Sequence, residues 1–147
     1  MSVTLRHAEN DGDIRACFEV MQALRPHLRD ADELLGRVRR QEAEGYRVLA
    51  AWQDATVIGL AGYRRLENLV RGPFCYIDDL VVAGAQRRTG LGRLLMDRVA
   101  AEAAAQGLPV LALDTAIDNG LGQRFYFRYG MLPAAVRFVM PLEGAAR

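Results

Sequence analysis

The segment between residues 74 and 114 constrains the fold more than any other part of the chain. It begins with an apolar strand candidate at 74–82 and ends with a short apolar stretch at 110–114. Between them lie a glycine-containing loop and a stretch at about 90–106 in which leucine, valine and alanine recur at helical spacing. This order predicts a β-α-β unit, in which a helix connects two parallel strands and covers one face of the sheet.

The rest of the chain predicts a mixed sheet with helices packed on its faces. Alternating or β-rich segments indicate further strands at residues 3–7, 46–52, 56–66 and 137–142. Helical spacing and capping residues indicate helices at residues 13–24, 30–44 and 119–129. The predicted order is therefore β-α-α-β-β-β-α-β-α-β, in which antiparallel hairpins precede the β-α-β unit.

Composition limits the classes of protein to which the chain can belong. It has 147 residues, a hydrophobic fraction of 51% and a net charge of +1, so we expect one domain over residues 1–147 and neither a nucleic-acid nor a membrane partner. Without a signal-like or membrane-spanning segment, the default location is the cytoplasm. Cys17 and Cys75 make neither a disulfide framework nor a metal site, so we expect two buried thiols.

The loop before the long helix has the features of an anion site. It reads Arg87, Arg88, Thr89, Gly90, Leu91, Gly92, Arg93. A helix start leaves backbone N–H groups without partners and carries partial positive charge. Glycines let a ligand approach the backbone, and the arginines add full charge. The pattern therefore predicts a site for a pyrophosphate.

Two other interpretations of this loop stay open. One is a plain glycine-rich connection with solvated arginines. The other is a dinucleotide-binding fingerprint, supported by Gly90-x-Gly92 and by Asp114 at the end of the next strand. Leu95 at the third glycine position and the long loop from Val82 to Gly90 count against the fingerprint.

Two motifs resemble the GNAT superfamily of acyl-CoA-dependent N-acetyltransferases. The family's pyrophosphate loop, Arg/Gln-x-x-Gly-x-Gly/Ala, corresponds to Arg87-x-x-Gly90-x-Gly92, and the strand before it is similar to the family's central strand. The family's second motif, Asn-x-x-Ala-x-x-Leu-Tyr-x-x-x-Gly-Phe, is matched with small or apolar replacements by Asn119, Gly122, Phe125, Tyr126, Gly130 and Met131.

The resemblance implies the fold, the co-substrate and the roles of several residues. It implies an α/β fold with a mixed, mostly antiparallel sheet, helices on both faces and a splayed strand pair that forms the acyl-CoA cleft. Acetyl-CoA would lie along Leu80, Val81 and Val82, with Leu80 and Val82 offering backbone groups to pantetheine, and residues 88–93 would hold the pyrophosphate. Asn119 would contact the cofactor arm and Tyr126 would lie near the sulfur. No metal is implied, and a homodimer is expected by analogy.

Acetyl transfer to an amine requires removal of a proton, and Asp78 is the candidate base. Neutralising a lysine-like amine of pKa about 10.4 near pH 7 costs about 4.6 kcal/mol. Because neighbours on a strand face opposite sides, we expect only one of Asp78 and Asp79 to face the cleft, and the sequence leaves open which. A structural role for both carboxylates, or for Tyr126 as a packed aromatic, is the alternative.

The sequence thus predicts an N-acetyltransferase that binds acetyl-CoA and an amine in a ternary complex, with Tyr126 as general acid or hydrogen-bond donor to the sulfur. The acceptor is a small-molecule or peptide amine whose identity the sequence does not reveal. The main alternative is a non-catalytic domain that binds or senses acyl-CoA through the same loop.

Overall fold

The computed structural model describes residues 2–144. The strands are β1 Thr4–His7, β2 Arg47–Gln53, β3 Thr56–Asn68, β4 Gly72–Val82 and β5 Leu111–Leu113. The helices are α1 Asp11–Ala16, α2 Phe18–Leu24, α3 Ala31–Glu42, α4 Leu91–Ala105 and α5 Gly120–Tyr129. Among the residues described, no helix has the length and apolar character needed to cross a bilayer. The chain divides into two compact units, with the boundary after Leu113.

The first unit contains a five-stranded sheet in the order β1-β2-β3-β4-β5. The first four strands pair antiparallel with their neighbours, and β4 and β5 pair parallel. Helix α4 connects the parallel pair, as the β-α-β prediction requires. The predicted mixed, mostly antiparallel sheet is confirmed.

Helices cover both faces of this sheet. Alternate residues of β2, among them Val48 and Ala50, pack in one core with side chains of α1, α2 and α3 such as Ile14, Met21 and Leu34. On α4, the fully buried residues lie along one stripe, and they are Leu95, Met96 and Val99. Since successive side chains of a strand point to opposite faces, the two sets of helices occupy opposite sides of the sheet.

The helix predicted at 13–24 is divided at Cys17. The Cys17 N–H donates to the Ile14 carbonyl at 3.1 Å, which closes a tighter turn, and α2 then starts a new run of bonds with Met21 N–H to Cys17 O at 2.9 Å. The prediction of buried thiols is confirmed for both cysteines. Burial raises the pKa of Cys17 to about 12 and that of Cys75 to about 11, so neither is a reactive thiolate at neutral pH.

Within the described residues, the second unit contains α5 and a C-terminal segment that forms no helix or strand. Helix α5 ends at Gly130, whose φ of 105° is the left-handed conformation that glycine adopts readily. The strand predicted at 137–142 was wrong, because the described residues after 130 form no helix or strand. Alternation of side chains gives a segment a face, but a strand also needs a pairing partner. Here Phe138 is 92% exposed and Met140 is 76% exposed.

Candidate active site

A β-bulge interrupts β4 at Asp78. Gly62 of β3 is opposite Asp79, whereas the next residue, Tyr63, is opposite Ile77. Asp78 is therefore the extra residue that has no partner on β3. A bulge of this kind bends its strand and increases the local twist.

The parallel ladder between β4 and β5 stops where the bulge begins. It joins Cys75–Ile77 to Leu111–Leu113, and in the described part of the chain no strand pairs with residues 79–82 on the side away from β3. That edge of β4 therefore presents backbone donors and acceptors that another extended chain can pair with.

The direction of the backbone groups identifies the residues that face this open edge. The Ala83 N–H donates to the Ile58 carbonyl on β3 at 2.8 Å. Because backbone groups alternate in direction along a strand, Val81 faces β3, whereas Leu80 and Val82 face the open edge.

The loop that follows has the geometry of an anion cradle. Within the described residues, the N-cap of α4, Gly90, provides no side-chain bond, so the first-turn amides have no cap. Gly90 has φ 86° and Arg88 has φ 65°, and the Thr89 hydroxyl donates to the Gln86 carbonyl at 2.6 Å. The side chains of Arg87, Arg88 and Arg93 are exposed around this turn.

The start of α4 and the open edge of β4 approach each other over Gly59. A Cβ at Gly59 would lie 3.1 Å from Leu91 Cδ2, 3.3 Å from the Val81 carbonyl and 3.3 Å from Val82 Cγ1. The absence of a side chain at this position thus lets the helix start and the strand edge approach each other. The two parts of the predicted acyl-CoA site are adjacent in the same unit.

Both carboxylates at the bulge contact groups on one face of the sheet. Asp79 accepts hydrogen bonds from Tyr46 Oη at 2.6 Å and Arg25 Nε at 2.9 Å. Asp78 accepts from Arg64 Nε at 3.0 Å, and the Arg64 guanidinium lies 5.0 Å from the centre of the Tyr46 ring. The expectation that strand alternation separates the two aspartates was wrong, because alternation does not hold across a bulge.

Burial controls the protonation of Asp78 and Tyr46. It raises the pKa of Asp78, against the opposing effect of the Arg64 hydrogen bond and with a further upward contribution from Asp79. Burial, followed by the charge of Asp79, raises the pKa of Tyr46 far above its ordinary value. Tyr46 is therefore a hydrogen-bond donor at every physiological pH, and Asp78 is a better proton acceptor than a solvated aspartate.

In the second unit, Asn119 is the N-cap of α5. Its side-chain oxygen accepts from the Gly122 N–H at 3.0 Å, and its amide nitrogen donates to Thr115 Oγ1 at 3.1 Å. Tyr126 lies on α5 with its ring edge-on to Phe125 at 5.3 Å between centroids. Burial raises the pKa of Tyr126, so its hydroxyl stays protonated.

The sequence analysis did not identify Arg25, Tyr46 or Arg64 as residues of this cluster. The Arg64 side chain is only 11% exposed. The signal that was available is Gly62, a glycine inside a long strand, which often marks a bulge or a close approach. A Cβ at Gly62 would lie 1.9 Å from Tyr46 Oη.

Comparison with known proteins identifies the family. The model of the acetyltransferase (GNAT) family matches residues 13–131, and a search of curated proteins found no significant match. Among solved structures, the aminoglycoside N-acetyltransferase AAC(6')-Iy in complex with CoA has a TM-score of 0.84 at 18% identity, over 97% of this chain and 95% of that chain.

Two further acetyltransferases have the same fold. Glucosamine-6-phosphate N-acetyltransferase from Arabidopsis thaliana has a TM-score of 0.76 at 16% identity, over 97% of this chain and 100% of that chain. Ribosomal-protein-alanine N-acetyltransferase from Brucella melitensis has a TM-score of 0.79 at 16% identity, over 96% and 100% respectively. At these identities the likeness shows the fold and leaves the acceptor open.

Proposed function

Because the chain belongs to the GNAT acetyltransferase family, we propose that it is an N-acetyltransferase that moves an acetyl group from acetyl-CoA to a primary amine in a ternary complex. The observation that carries this proposal is the open edge of β4 beside an uncapped helix start with exposed arginines. An extended pantetheine arm fits the first feature, and a pyrophosphate fits the second.

In this proposal each part of the site has one task. Leu80 and Val82 pair with the pantetheine amides, Val81 keeps that stretch of β4 fixed to β3, and residues 87–93 bind the pyrophosphate. Acetyl-CoA supplies the acetyl thioester. Holding the amine and the thioester in one cleft provides several kcal/mol of the rate enhancement.

Asp78 removes the proton from the amine. Its position at the bulge supports this role, as do a side chain that is 24% exposed and a pKa that burial raises. General-base catalysis of this kind typically contributes about 10²–10⁴ in rate.

Tyr126 donates a hydrogen bond to the sulfur of the leaving thiolate, and Asn119 contacts the cofactor arm. Transfer of a proton from a phenol of pKa about 10 to a thiolate of pKa about 8.5 is uphill by about 2 kcal/mol. Burial raises the pKa of Tyr126 further, which favours hydrogen bonding over complete proton transfer.

The acceptor class and the assembly are also proposals. The fold neighbours include enzymes named for an aminoglycoside, for glucosamine 6-phosphate and for an alanine of a ribosomal protein, so we propose a small-molecule or peptide amine. The family match extends into both compact units, which supports one domain over residues 1–147. We further propose a homodimer, because the exposed apolar residues after α5 are typical of an association surface. A cytoplasmic location and a reaction without metal are kept as proposals from the sequence.

Thermal unfolding with acetyl-CoA tests the cofactor site. A ligand at 100 times its Kd stabilises by about 2.7 kcal/mol, which raises the Tm by several degrees. We expect this shift with acetyl-CoA and a much smaller one with NAD or ADP, because these carry a pyrophosphate but no pantetheine arm to pair with β4. No shift at saturating acetyl-CoA would refute the proposed function, and a shift specific to NAD would favour the dinucleotide-binding alternative.

Matched arginine variants locate the site. Arg87→Ala with Arg88→Ala should weaken acetyl-CoA binding at least about ten-fold, because a hydrogen bond to a charged group contributes about 1.5–3 kcal/mol. Arg40→Ala with Arg71→Ala removes the same charge from exposed positions elsewhere and should leave the shift intact. Asp78→Asn and Tyr126→Phe then separate an enzyme, which loses turnover, from an acyl-CoA sensor, which loses nothing.

A further inference from the structure

The Asp79 carboxylate is fully engaged by protein groups. Its two oxygens accept from different donors, Oδ1 from Arg25 Nε at 2.9 Å and Oδ2 from Tyr46 Oη at 2.6 Å. Only 13% of its side chain is exposed. A carboxylate held in this way by a guanidinium and a hydroxyl is poorly placed to accept a proton from a substrate.

Arg25 connects this carboxylate to the backbone of the bulge. Its Nε donates to Asp79, and its terminal nitrogen donates to the carbonyl of Asp78 at 2.8 Å. Arg25 is also the C-cap residue of α2, with its own N–H bonded to the Met21 carbonyl. One side chain therefore fastens the end of α2 to both residues of the bulge.

Gly62 leaves the space in which this arrangement forms. It pairs with Asp79 across the ladder, and a Cβ there would lie 2.8 Å from Asp79 Oδ2 and 2.6 Å from the Tyr46 Cζ. The Tyr46 hydroxyl thus crosses the position that a side chain on β3 would occupy. Tyr46 directly precedes β2, Gly62 lies on β3 and Asp79 lies on β4. The contact between Tyr46 and Asp79 therefore depends on how these three neighbouring strands are paired.

Asp78 differs from Asp79 in its availability. Its Oδ2 accepts from Arg64 Nε at 3.0 Å, and within residues 2–144 its Oδ1 accepts no hydrogen bond. Its side chain is 24% exposed, against 13% for Asp79. Arg64 itself donates a hydrogen bond to Gln41 of α3. Arg64 therefore fixes Oδ2 of Asp78, and Oδ1 stays available to a substrate.

We propose that Asp79, held by Arg25 and Tyr46, is a positioning residue that fixes the β4 bulge and thereby aims the free oxygen of Asp78 at the acceptor amine. This assignment rests on the proposed function, and it goes further by giving the two adjacent aspartates different tasks. Asp78 is the catalytic residue, and Asp79 acts through it.

The test compares Asp78→Asn, Asp79→Asn and Tyr46→Phe with wild type. Acetyl transfer is followed by release of the CoA thiol, with neamine, glucosamine 6-phosphate and an alanine-terminated peptide as acceptor probes, and the best probe is used throughout. Tyr63→Phe is the matched control, because it also removes a tyrosine hydroxyl that is hydrogen-bonded to a carboxylate. That carboxylate belongs to Glu102 of α4, on the opposite face of the sheet.

We expect Asp78→Asn to lower kcat by about 10²-fold or more, as for loss of a general base. Tyr46→Phe should lower kcat by about ten-fold with the KM for acetyl-CoA unchanged, because small misplacement of a reacting group is costly. It keeps both carboxylates, so the acidic limb of the pH profile should stay in place. Asp79→Asn removes a charge that raises the pKa of Asp78 and should move that limb to lower pH.

Each result decides between the assignments. If Asp78→Asn keeps its kcat while Asp79→Asn loses it, Asp79 is the base and the proposal is wrong. If Tyr46→Phe matches Tyr63→Phe in kcat, the arrangement is only structural. If wild type neither binds acetyl-CoA nor acetylates any probe, the proposed function itself is wrong. This outcome is seen in wild type, so it is distinct from every outcome that concerns the variants.

Discussion

Gly62→Ala should destabilise the protein strongly for a reason visible in the structure. The new Cβ would lie 1.9 Å from Tyr46 Oη, so the ring must move and its hydrogen bond to Asp79 must break. Loss of a hydrogen bond to a charged group costs about 1.5–3 kcal/mol and overpacking about 1–3 kcal/mol, while alanine recovers roughly 0.5–1 kcal/mol of chain entropy. We therefore expect the free energy of unfolding to fall by about 2–5 kcal/mol.

Urea unfolding followed by fluorescence measures this change, because Trp52 is the single tryptophan and is buried. Gly36→Ala is the control: its Cβ would meet only the flexible end of Arg40 at 3.4 Å inside α3, and it should stabilise by roughly 0.5–1 kcal/mol. A Gly62→Ala variant within about 0.5 kcal/mol of wild type would refute the argument, given the overpacking cost. In a Tyr46→Leu background the cost of Gly62→Ala should fall by at least half, and an unchanged cost would also contradict it.

Three further predictions concern other parts of the structure. Burial and Arg47 lower the pKa of His7 from 6.5, and although burial raises the pKa of Glu102, hydrogen bonding from Tyr63 and nearby positive charges outweigh it and leave that pKa below 4.5. In both cases the unfolded chain binds more protons than the folded chain. The stability that these groups contribute is therefore fully present above pH 6.5 for His7 and above pH 4.5 for Glu102. It is lost as the pH falls through the pKa of each group in the folded protein. Urea midpoints from pH 8 to 4 should therefore decrease, and less steeply in Tyr63→Phe; equal slopes would contradict the assignment. Gly90→Ala places a Cβ in open space but forces alanine to φ 86°, so it should cost about 1–2 kcal/mol and weaken acetyl-CoA binding in thermal shift, whereas wild-type behaviour would mean that the loop relaxes without cost. Asn119→Ala removes the cap on the Gly122 N–H and should cost α5 about 1 kcal/mol, measured as faster amide hydrogen exchange at residues 120–124; unchanged exchange would show that Asn119 does not stabilise the helix.

The elements that could be predicted from the sequence are those specified by local patterns. The helix at 90–106 and the strands around it appear as α4, β4 and β5 within a few residues, because side-chain periodicity determines which face of a segment is buried. Whether residues 137–142 form a strand could not be predicted in this way. Their alternation is real, but pairing depends on a partner distant in sequence, and none of the described residues pairs with them.

Part of the candidate site could also be predicted from the sequence. The loop at 87–93 could be identified because glycines and arginines before a helix have a direct physical consequence. The cluster around Asp79 could not, because Arg25, Tyr46 and Arg64 lie on three separate elements that only the tertiary fold brings together. Likewise, the alternation of side chains along a strand does not hold at Asp78, where the register of β3 and β4 shifts by one residue. The only sign of this shift in the sequence is Gly62.

The bulge at Asp78 connects the fold to the proposed chemistry. By inserting one residue, it ends the ladder with β5 after Ile77, and it brings the carboxylates of Asp78 and Asp79 to the same face of the sheet. The open edge and the candidate base therefore arise from one distortion. It follows that any change that removes the bulge should abolish cofactor binding and proton removal together. By contrast, Asp78→Asn, which removes the candidate base and keeps the Asp79 contacts, should impair only the second, and loss of the arginines at 87 and 88 only the first.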